Sequence, residues 1–477
     1  MNLDAEACFK ALAARDARFD GRFYVGVATT GIYCRPVCGV RMPRRENCRF
    51  FASAAAAEAK GFRPCLRCRP ELAPGHAAID ASSRLAQGAV DLIESGVMDD
   101  GGIERLAERV GVSDRHLRRV FDDAFGVSPV AYAQTHRLLL AKRLLTDTRL
   151  PVTEVALASG FSSVRRFNAL FRERYRMAPS HLRREAGGEQ DADRLAFDLA
   201  YRPPYDFAAL LEFLRARAVE GIESAGATSY IRSVAIRRGD VLHAGHVEVH
   251  QLARKHALRV LVSSSLVHVV PAVLGRVRHA FDLAADPREI ATALGPLARA
   301  HPGLRLPGTF DGFELAVRAI AGQQVSVKAA RTLLGRLVAA HGGSIDAAPG
   351  RPARLFPAAD RLAALAPQDL ASVGLVVSRA RSIHALAQSV ATGALRLEPG
   401  VDVDATMDAL RALPGVGDWT AHYIAMRALR WPDAFLAGDL VVRRALDVTT
   451  SARAEAKSAA WRPWRAYAVM HLWKGST

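Results

Sequence analysis

The first 70 residues are organised by two cysteine pairs, in the stretches GIYCRPVCGV at residues 31–40 and FRPCLRCRP at residues 62–70. Cys34 and Cys38 are separated by three residues and Cys65 and Cys68 by two. Each pair can therefore direct both sulfur atoms at one ion from a tight turn. This spacing is typical of a structural zinc site, and it leaves open whether one of the cysteines also reacts.

Length and composition indicate several domains in a cytoplasmic protein. A chain of 477 residues is too long for one hydrophobic core, and half of its residues are hydrophobic, so each domain can bury its own. The start, MNLDAEACFK, has no basic segment followed by an apolar run, and no stretch of about 18 apolar residues follows. We therefore expect no membrane association and reduced cysteines, with Cys8 and Cys48 as free thiols.

The charge of the chain favours a nucleic-acid partner. The formal net charge is +17, and residues 1–70 carry 13 Lys or Arg against 6 Asp or Glu. Positive charge around the cysteine pairs makes phosphate a plausible neighbour of their sulfur atoms.

Two polar, helix-breaking stretches divide the chain, PELAPGHAAID at 70–80 and EAGGEQDAD at 185–193. The stretch between them has helical periodicity, and after the second one strand-like alternation in ATSYIRSVAIRRGDVLHAGHVEVH and RKHALRVLVSSSLVHVV gives way to helical periods. The predicted fold class is multidomain: a small zinc-bound α+β domain at 1–75, an all-α duplicated helix-turn-helix at 81–186, a small α+β domain at 195–275 and an all-α helix-hairpin-helix domain at 276–477.

The helical region repeats one plan twice: a short amphipathic helix, a Gly turn, a Ser cap and a basic helix. Recognition helices are predicted to begin at Ser113 and Ser162. The side chains predicted to face the major groove of DNA are Arg115, His116, Arg118, Ser163, Arg165 and Arg166. The alternative is a solvated face, or contact with phosphate alone.

The stretch LPGVGDWT at 413–420 has the form of a helix-hairpin-helix turn. Gly415 and Gly417 would let backbone N–H groups approach a phosphate at a helix start. Asp439 follows about twenty residues later, and Trp419, Tyr423 and Trp473 supply aromatic rings. The alternatives are a helix cap or an ion pair for the carboxylate and core packing for the rings.

The segment TTGIYCRPVC, with RENCRFF and GFRPCLRCRPE, resembles the amino-terminal domain of the Ada family. That resemblance implies that Cys34 accepts a methyl group from DNA phosphotriesters and that Cys38, Cys65 and Cys68 complete its zinc site. Zinc holds a coordinated thiol as thiolate. Methylation would change a four-thiolate site from a formal charge of −2 to −1, which would weaken its repulsion from DNA.

The duplicated unit resembles the AraC-family DNA-binding domain, most closely at GFSSVRRFNALFRERYRMAPSHLR. From about Tyr201 to WRPWRAYAVMHLW at 461–473 the chain resembles the AlkA-like 3-methyladenine DNA glycosylases. That resemblance implies that Asp439 is the catalytic carboxylate and that Trp419, Tyr423 and Trp473 form the walls of the base pocket.

Two departures from related glycosylases are informative. Trp419 stands where glycosylases with lyase activity have a Schiff-base Lys, which implies a monofunctional enzyme. In AGQQVS, residues 321–326, Gln324 occupies the position of the family's apolar wedge, which fills the gap left by a flipped base.

We therefore expect a DNA alkylation-repair and adaptive-response protein that carries Zn²⁺ and binds alkylated and promoter DNA. When it activates transcription, it is expected to contact RNA polymerase. The competing hypothesis is a transcriptional regulator whose carboxyl-terminal half binds DNA without catalysis.

Overall fold

The computed structural model describes residues 4–74, 81–182 and 193–476. Residues 75–80 of the first predicted linker lie outside the described residues, while Pro70–Leu72 form a short 3₁₀ helix. Of the second predicted linker, 185–192 lie outside them as well.

The amino-terminal region is a small α+β fold. Its helices are α1 (Ala5–Ala13) and α2 (Ala54–Ala59), and its strands are β1 (Tyr24–Val27), β2 (Ile32–Cys34), β3 (Cys48–Phe51) and β4 (Arg63–Pro64). The sheet order is β3-β1-β2-β4, and β4 pairs parallel to β2. Because the two strands are parallel, Cys34 at the end of β2 and Cys65 just after β4 lie at the same end of the sheet.

The next region is helical, as predicted. Its helices are α3 (Ala81–Glu94), α4 (Val97–Val110), α5 (Asp114–Phe125), α6 (Pro129–Asp147), α7 (Val152–Ala158) and α8 (Val164–Tyr175). Apolar residues at helical spacing fill one face of each recognition helix; in α8 these are Phe167, Phe171 and Tyr175. The long helix α6 joins the two units.

A five-stranded antiparallel sheet follows, in the order β5-β9-β8-β7-β6. Its elements are β5 (Arg194–Ala200), α9 (Phe207–Arg217), β6 (Glu223–Ala225), β7 (Ser229–Arg238), β8 (Val241–Leu252) and β9 (Ala257–Ser263). Leu195, Phe197 and Leu199 alternate into the core, a pattern of β5 that the sequence analysis missed.

The remaining elements of the described chain are helices. They are α10 (Val270–Ala280), α11 (Pro287–Leu294), α12 (Gly312–Ala321), α13 (Val327–His341), α14 (Ala359–Ala363), α15 (Pro367–Ala371), α16 (Val377–Ala391), α17 (Val403–Arg411), α18 (Asp418–Arg427), α19 (Leu440–Ala445), α20 (Ser451–Ser458) and α21 (Arg465–Gly475). Within the described ranges, none of the helices combines the length and the apolar character that crossing a bilayer requires.

Two local expectations were wrong, and one predicted domain boundary falls inside a helix. The last predicted strand ends at Ser263, and 264–269 form a 3₁₀ helix, because Leu266 and Val269 are buried at a spacing of three rather than two. The second recognition helix is capped by Ser163, not Ser162. The predicted domain boundary between 275 and 276 falls inside α10.

Candidate functional site

The four predicted zinc ligands come together. The sulfur atoms of Cys34, Cys38, Cys65 and Cys68 all lie within 4.8 Å of one another. Four sulfur atoms held at about 2.3 Å around one Zn²⁺ would be about 3.8 Å apart, so a small adjustment closes the tetrahedron. Cys34 is only 5% exposed, and Cys68 is the most accessible of the four.

Backbone pairing holds the cluster in place. The Cys65 amide donates to the Tyr33 carbonyl at 3.0 Å, and the Arg35 amide donates to Cys68 Sγ at 3.4 Å. Hydrogen bonds from the Cys34 thiol lower the pKa of Cys38 to about 7 and lower the pKa of Cys65 as well. The pKa values of Cys34 and Cys68 are raised in turn, because the four thiols share protons through these hydrogen bonds. A bound metal ion would displace the remaining protons and hold the sulfur atoms as thiolates.

The two recognition helices present basic residues to solvent. In α5, Arg115 and Arg118 are exposed and His116 is half-buried; the Nδ1 atom of His116 lies 3.0 Å from Arg119 Nη2. Arg118 also pairs with Asp114 at 3.5 Å. Both groups are half exposed, so this pair is easily exchanged for a phosphate.

In α8, Arg165 and Arg166 are exposed at the start of the helix. The Ser163 hydroxyl accepts a hydrogen bond from the Arg166 amide at 3.4 Å. Ser163 is thus the N-cap of α8, a structural role that the sequence analysis had not separated from its predicted contact with DNA.

The hairpin turn lies between α17 and α18, as the motif predicts. Gly415 has φ +74°, and a Cβ built on it would lie 2.6 Å from Ser382 Oγ, so the turn requires glycine. Gly417 precedes α18 with no side-chain cap and open space around it. The first turn of α18 is therefore accessible to an anion.

The predicted wedge position lies in the loop between α12 and α13. Gln324 is exposed and has φ +51°. Its neighbour Gln323 donates from Nε2 to the Gly415 carbonyl at 2.9 Å and to Thr420 Oγ1 at 3.0 Å. The loop is thereby tied to the hairpin turn.

Asp439 is held by three donors. Its Oδ2 accepts from Trp419 Nε1 at 3.0 Å, and its Oδ1 accepts from Trp473 Nε1 at 3.2 Å and from the Val442 amide at 3.0 Å. The last contact makes it the N-cap of α19. Asp439 therefore both caps α19 and accepts hydrogen bonds from the two indole rings, so the cap and a role in the site are not exclusive alternatives.

Asp439, Trp419, Tyr423 and Trp473 line one cavity of about 570 Å³. Gly322 and Val325 contribute to its wall, whereas Gln324 does not. The rings of Trp419 and Tyr423 stack on each other with centroids 5.2 Å apart and an interplanar angle of 8°. A base inserted between two rings needs about 7 Å, twice the usual carbon–carbon contact, so these two rings form one wall rather than a clamp.

The sequence analysis missed a guanidinium layer beneath the rings. Arg427 Nη1 donates to Tyr423 Oη at 2.6 Å, and the Arg427 guanidinium carbon lies 5.0 Å from the Phe213 ring centroid. Arg217 lies 3.8 Å from the same centroid. Burial raises the pKa of Tyr423, but Arg427 and Arg217 outweigh it and bring this pKa below its usual value. The only sequence signal for Arg427 was its place one helical turn after Tyr423.

Four family models match the chain along its length. The metal-binding domain of Ada matches residues 7–71 and a helix-turn-helix domain matches 106–185. The AlkA N-terminal domain matches 196–311, and the HhH-GPD superfamily of base excision DNA repair proteins matches 317–465.

Individual relatives agree with these matches. A Mycobacterium tuberculosis protein named a probable bifunctional transcriptional activator/DNA repair enzyme AlkA is 41% identical over 99% of this chain and 97% of its own length. DNA-3-methyladenine glycosylase 2 of Escherichia coli is 37% identical over 58% of this chain and 96% of its own. The solved structure of the Archaeoglobus fulgidus 3-methyladenine DNA glycosylase shares the fold, with a TM-score of 0.50 and 18% identity over 59% of this chain and 98% of its own.

The fold and sites define a multidomain DNA-repair protein in which a zinc-binding domain and a helix-turn-helix region precede a helix-hairpin-helix glycosylase. The four cysteines form its zinc site. The chain belongs to the family of bifunctional transcriptional activator/DNA repair enzymes of the AlkA type.

Proposed function

We propose that the chain is a monofunctional N-glycosylase that releases alkylated purines such as 3-methyladenine from DNA. We also propose that its zinc-bound Cys34 accepts methyl groups from phosphotriesters. The observation that carries the glycosylase proposal is the Asp439 carboxylate, which two indole N–H groups orient at the edge of an aromatic cavity. A module that only bound DNA would not need this arrangement.

The carboxylate suits the bond that is broken. Cleavage of an N-glycosidic bond gives the sugar oxocarbenium character at C1′, and a fixed negative charge stabilises it. The cationic base leaves as a neutral molecule with the bonding electrons, and water adds to C1′ and releases one proton to give the abasic sugar. Because Trp419 occupies the position of a Schiff-base lysine, no amine is placed to attack C1′.

The aromatic wall favours a cationic base. An alkylated purine carries positive charge, and the exposed face of the Trp419–Tyr423 stack attracts it through a cation–π interaction. Trp473 lies across from Tyr423 with ring centroids 6.5 Å apart at 47°. The Arg427 guanidinium is directed at Tyr423 Oη and at the carbonyls of Pro307 and Gly308, which limits its repulsion of the base.

The chemistry and charge of the zinc site support the methyl-acceptor proposal. When bound, zinc keeps the cysteine ligands as thiolates. In the proposed transfer a bond forms between Cys34 sulfur and the methyl carbon, the bond from methyl to phosphate oxygen breaks, and the repaired phosphate keeps the electrons and a negative charge. The loss of one thiolate charge would strengthen DNA binding.

The remaining site residues are proposed to hold DNA. Arg115, His116 and Arg118 in α5, and Ser163, Arg165 and Arg166 in α8, face promoter DNA. Gly415 and Gly417 hold a phosphate of the damaged strand, and Gln324 fills the gap in the duplex. Activation of transcription implies contact with RNA polymerase, and we propose that the protein acts in the cytoplasm.

Because Cys34 is buried, a methyl group on it would distinguish directed transfer from methylation of the most accessible thiol. Protein incubated with methylated DNA is digested, and mass spectrometry locates the methyl group. We expect one methyl on Cys34, and none after Cys34→Ser. Cys68 is the internal control, because it is more accessible; a methyl on Cys68, or on none of the four cysteines, would contradict the assignment.

A further inference from the structure

The exposed apolar side chains of the glycosylase helices lie at the beginnings of three helices. In the described residues from 243 to 476, the large apolar side chains that are between 38% and 55% exposed are Val327, Val376, Val377, Leu440 and Val441. They begin helices α13, α16 and α19. Single exposed apolar residues are normal, whereas a group of them at neighbouring positions indicates a binding surface.

Three of these residues lie at the cavity that contains Asp439. Val327 and Val441 line it, and Leu440 directly follows Asp439 at the start of α19. An apolar rim of this kind is expected around a site that encloses a base.

The other two, Val376 and Val377, line no part of that cavity. Helix α16, which they begin, is tied to the predicted wedge loop instead: Arg379, one turn after Val376, donates a hydrogen bond to the carbonyl of Gln323, the neighbour of Gln324. Because the wedge loop is itself bonded to the hairpin turn, the two valines continue the surface that the hairpin presents to DNA.

A rigid turn presents this pair of residues, which we call the valine ridge. Gly374 has φ +101°, a conformation that favours glycine, and Leu375 is buried in the core directly before Val376. Both valines are β-branched, so few rotamers are lost when they are fixed against a partner. The valine ridge is therefore an apolar surface that needs little ordering on binding.

Basic residues accompany the valine ridge. Arg381 is exposed one turn after Val377 on the same face of α16, Arg379 is half-buried, and Lys328 is exposed at the start of α13 beside the wedge loop. Apolar side chains among positive charges fit duplex DNA, whose stacked bases lie between two phosphate backbones. DNA is therefore the partner that this surface fits.

The valine ridge also supplies what the wedge loop lacks. Gln324 is polar, so it can fill a gap and hydrogen-bond the orphan base but offers little apolar contact to the neighbouring bases. Apolar side chains inserted at a base step partly unstack it and kink the duplex. A kinked duplex exposes a nucleotide that must leave the stack.

We propose that Val376 and Val377 insert into the base stack beside the flipped nucleotide and form a second wedge, which keeps the duplex bent while Gln324 occupies the gap. The ligand of the valine ridge is an unstacked base step of double-stranded DNA. This inference rests on DNA binding by the helix-hairpin-helix region and does not require base release.

Binding of the full chain to a duplex with an abasic site tests the proposal. 2-Aminopurine replaces each base next to the abasic site in turn, because its fluorescence rises when its neighbours unstack. We expect the wild type to raise the fluorescence at one of these positions. Val376→Thr combined with Val377→Thr should remove most of this rise and increase the Kd for the duplex about tenfold, because polar side chains gain less from contact with the bases.

Two controls separate insertion from folding. Threonine keeps the shape of valine, and at position 376, the N-cap of α16, its hydroxyl can accept a helix amide that no side chain caps in the wild type. The double variant should therefore melt at or above the temperature of the wild type. Val241→Thr is the matched control for exposure, because Val241 is 56% exposed, against 55% for Val376, and begins β8.

Three results would overturn the proposal: no fluorescence rise with the wild type, a full rise and an unchanged Kd in the double variant, or an equal loss in Val241→Thr. A wild type that unstacks this duplex through the valine ridge but releases no base from methylated DNA would support the second wedge and contradict the proposed activity alone.

Discussion

The hydrogen bond from Trp473 to Asp439 gives a prediction that separates orientation of the carboxylate from the shape of the cavity. Trp473→Phe removes the indole N–H, which donates to Asp439 Oδ1 at 3.2 Å, and keeps an aromatic ring at the same wall. Trp419→Phe does the same for the 3.0 Å bond to Oδ2. In each variant the carboxylate keeps its other indole donor and the amide of Val442.

The expected loss follows from the charge of the acceptor. A hydrogen bond to a charged group is worth about 1.5–3 kcal/mol, and each 1.4 kcal/mol is a factor of ten in rate. If the bond holds the carboxylate where charge develops at C1′, each substitution should lower kcat by roughly ten- to a hundredfold. KM should change little, because the ring that contacts the base remains.

The assay measures kcat and KM for release of 3-methyladenine from methylated duplex DNA. Trp431→Phe is the matched control, because Trp431 stacks on His422 and makes no hydrogen bond to Asp439. Release by the two variants at the rate of Trp431→Phe would refute the positioning argument. A raised KM with unchanged kcat would instead assign the indoles to base binding alone.

Two other substitutions test the interior and the wedge. Burial raises the pKa of Glu58 to about 7; because the folded state keeps its proton up to this pH, wild-type stability falls as pH rises from about 4.5 to 7. Glu58→Gln should therefore raise the free energy of unfolding over wild type more at pH 8 than at pH 5, by up to about 3 kcal/mol. Denaturant unfolding at the two pH values measures this, and an equal gain at both would contradict it. Gln324→Leu restores an apolar side chain at the wedge and should lower the Kd for duplex containing an abasic site; an unchanged Kd would remove Gln324 from that role.

The sequence predicted the site features that depend on short spacing or on recognisable motifs. The two cysteine pairs, the hairpin glycines and Asp439 all lie where their motifs indicate, because turns and caps are determined by a few neighbouring residues. Sequence alternation also indicated the long strands β7 and β8.

Features that depend on distant parts of the chain were not predictable from the sequence. The guanidinium of Arg427 contacts Phe213, more than two hundred residues earlier, and no local pattern reports such a contact. The stacking of Trp419 on Tyr423 depends on rotamers within one helix, so spacing alone could not distinguish a clamp from a single wall. The ion pairs of Glu108 with Arg396 and of Arg109 with Glu398 join residues about three hundred positions apart.

The most direct test of the central claim is release of 3-methyladenine from methylated duplex DNA by the wild type and by Asp439→Asn. The substitution keeps the volume and removes the negative charge that would stabilise the oxocarbenium ion. We predict release by the wild type, a loss of at least about a thousandfold in Asp439→Asn, and little change in the Kd for damaged DNA. No release by the wild type, or full release by Asp439→Asn, would contradict the assignment of a catalytic carboxylate in this cavity.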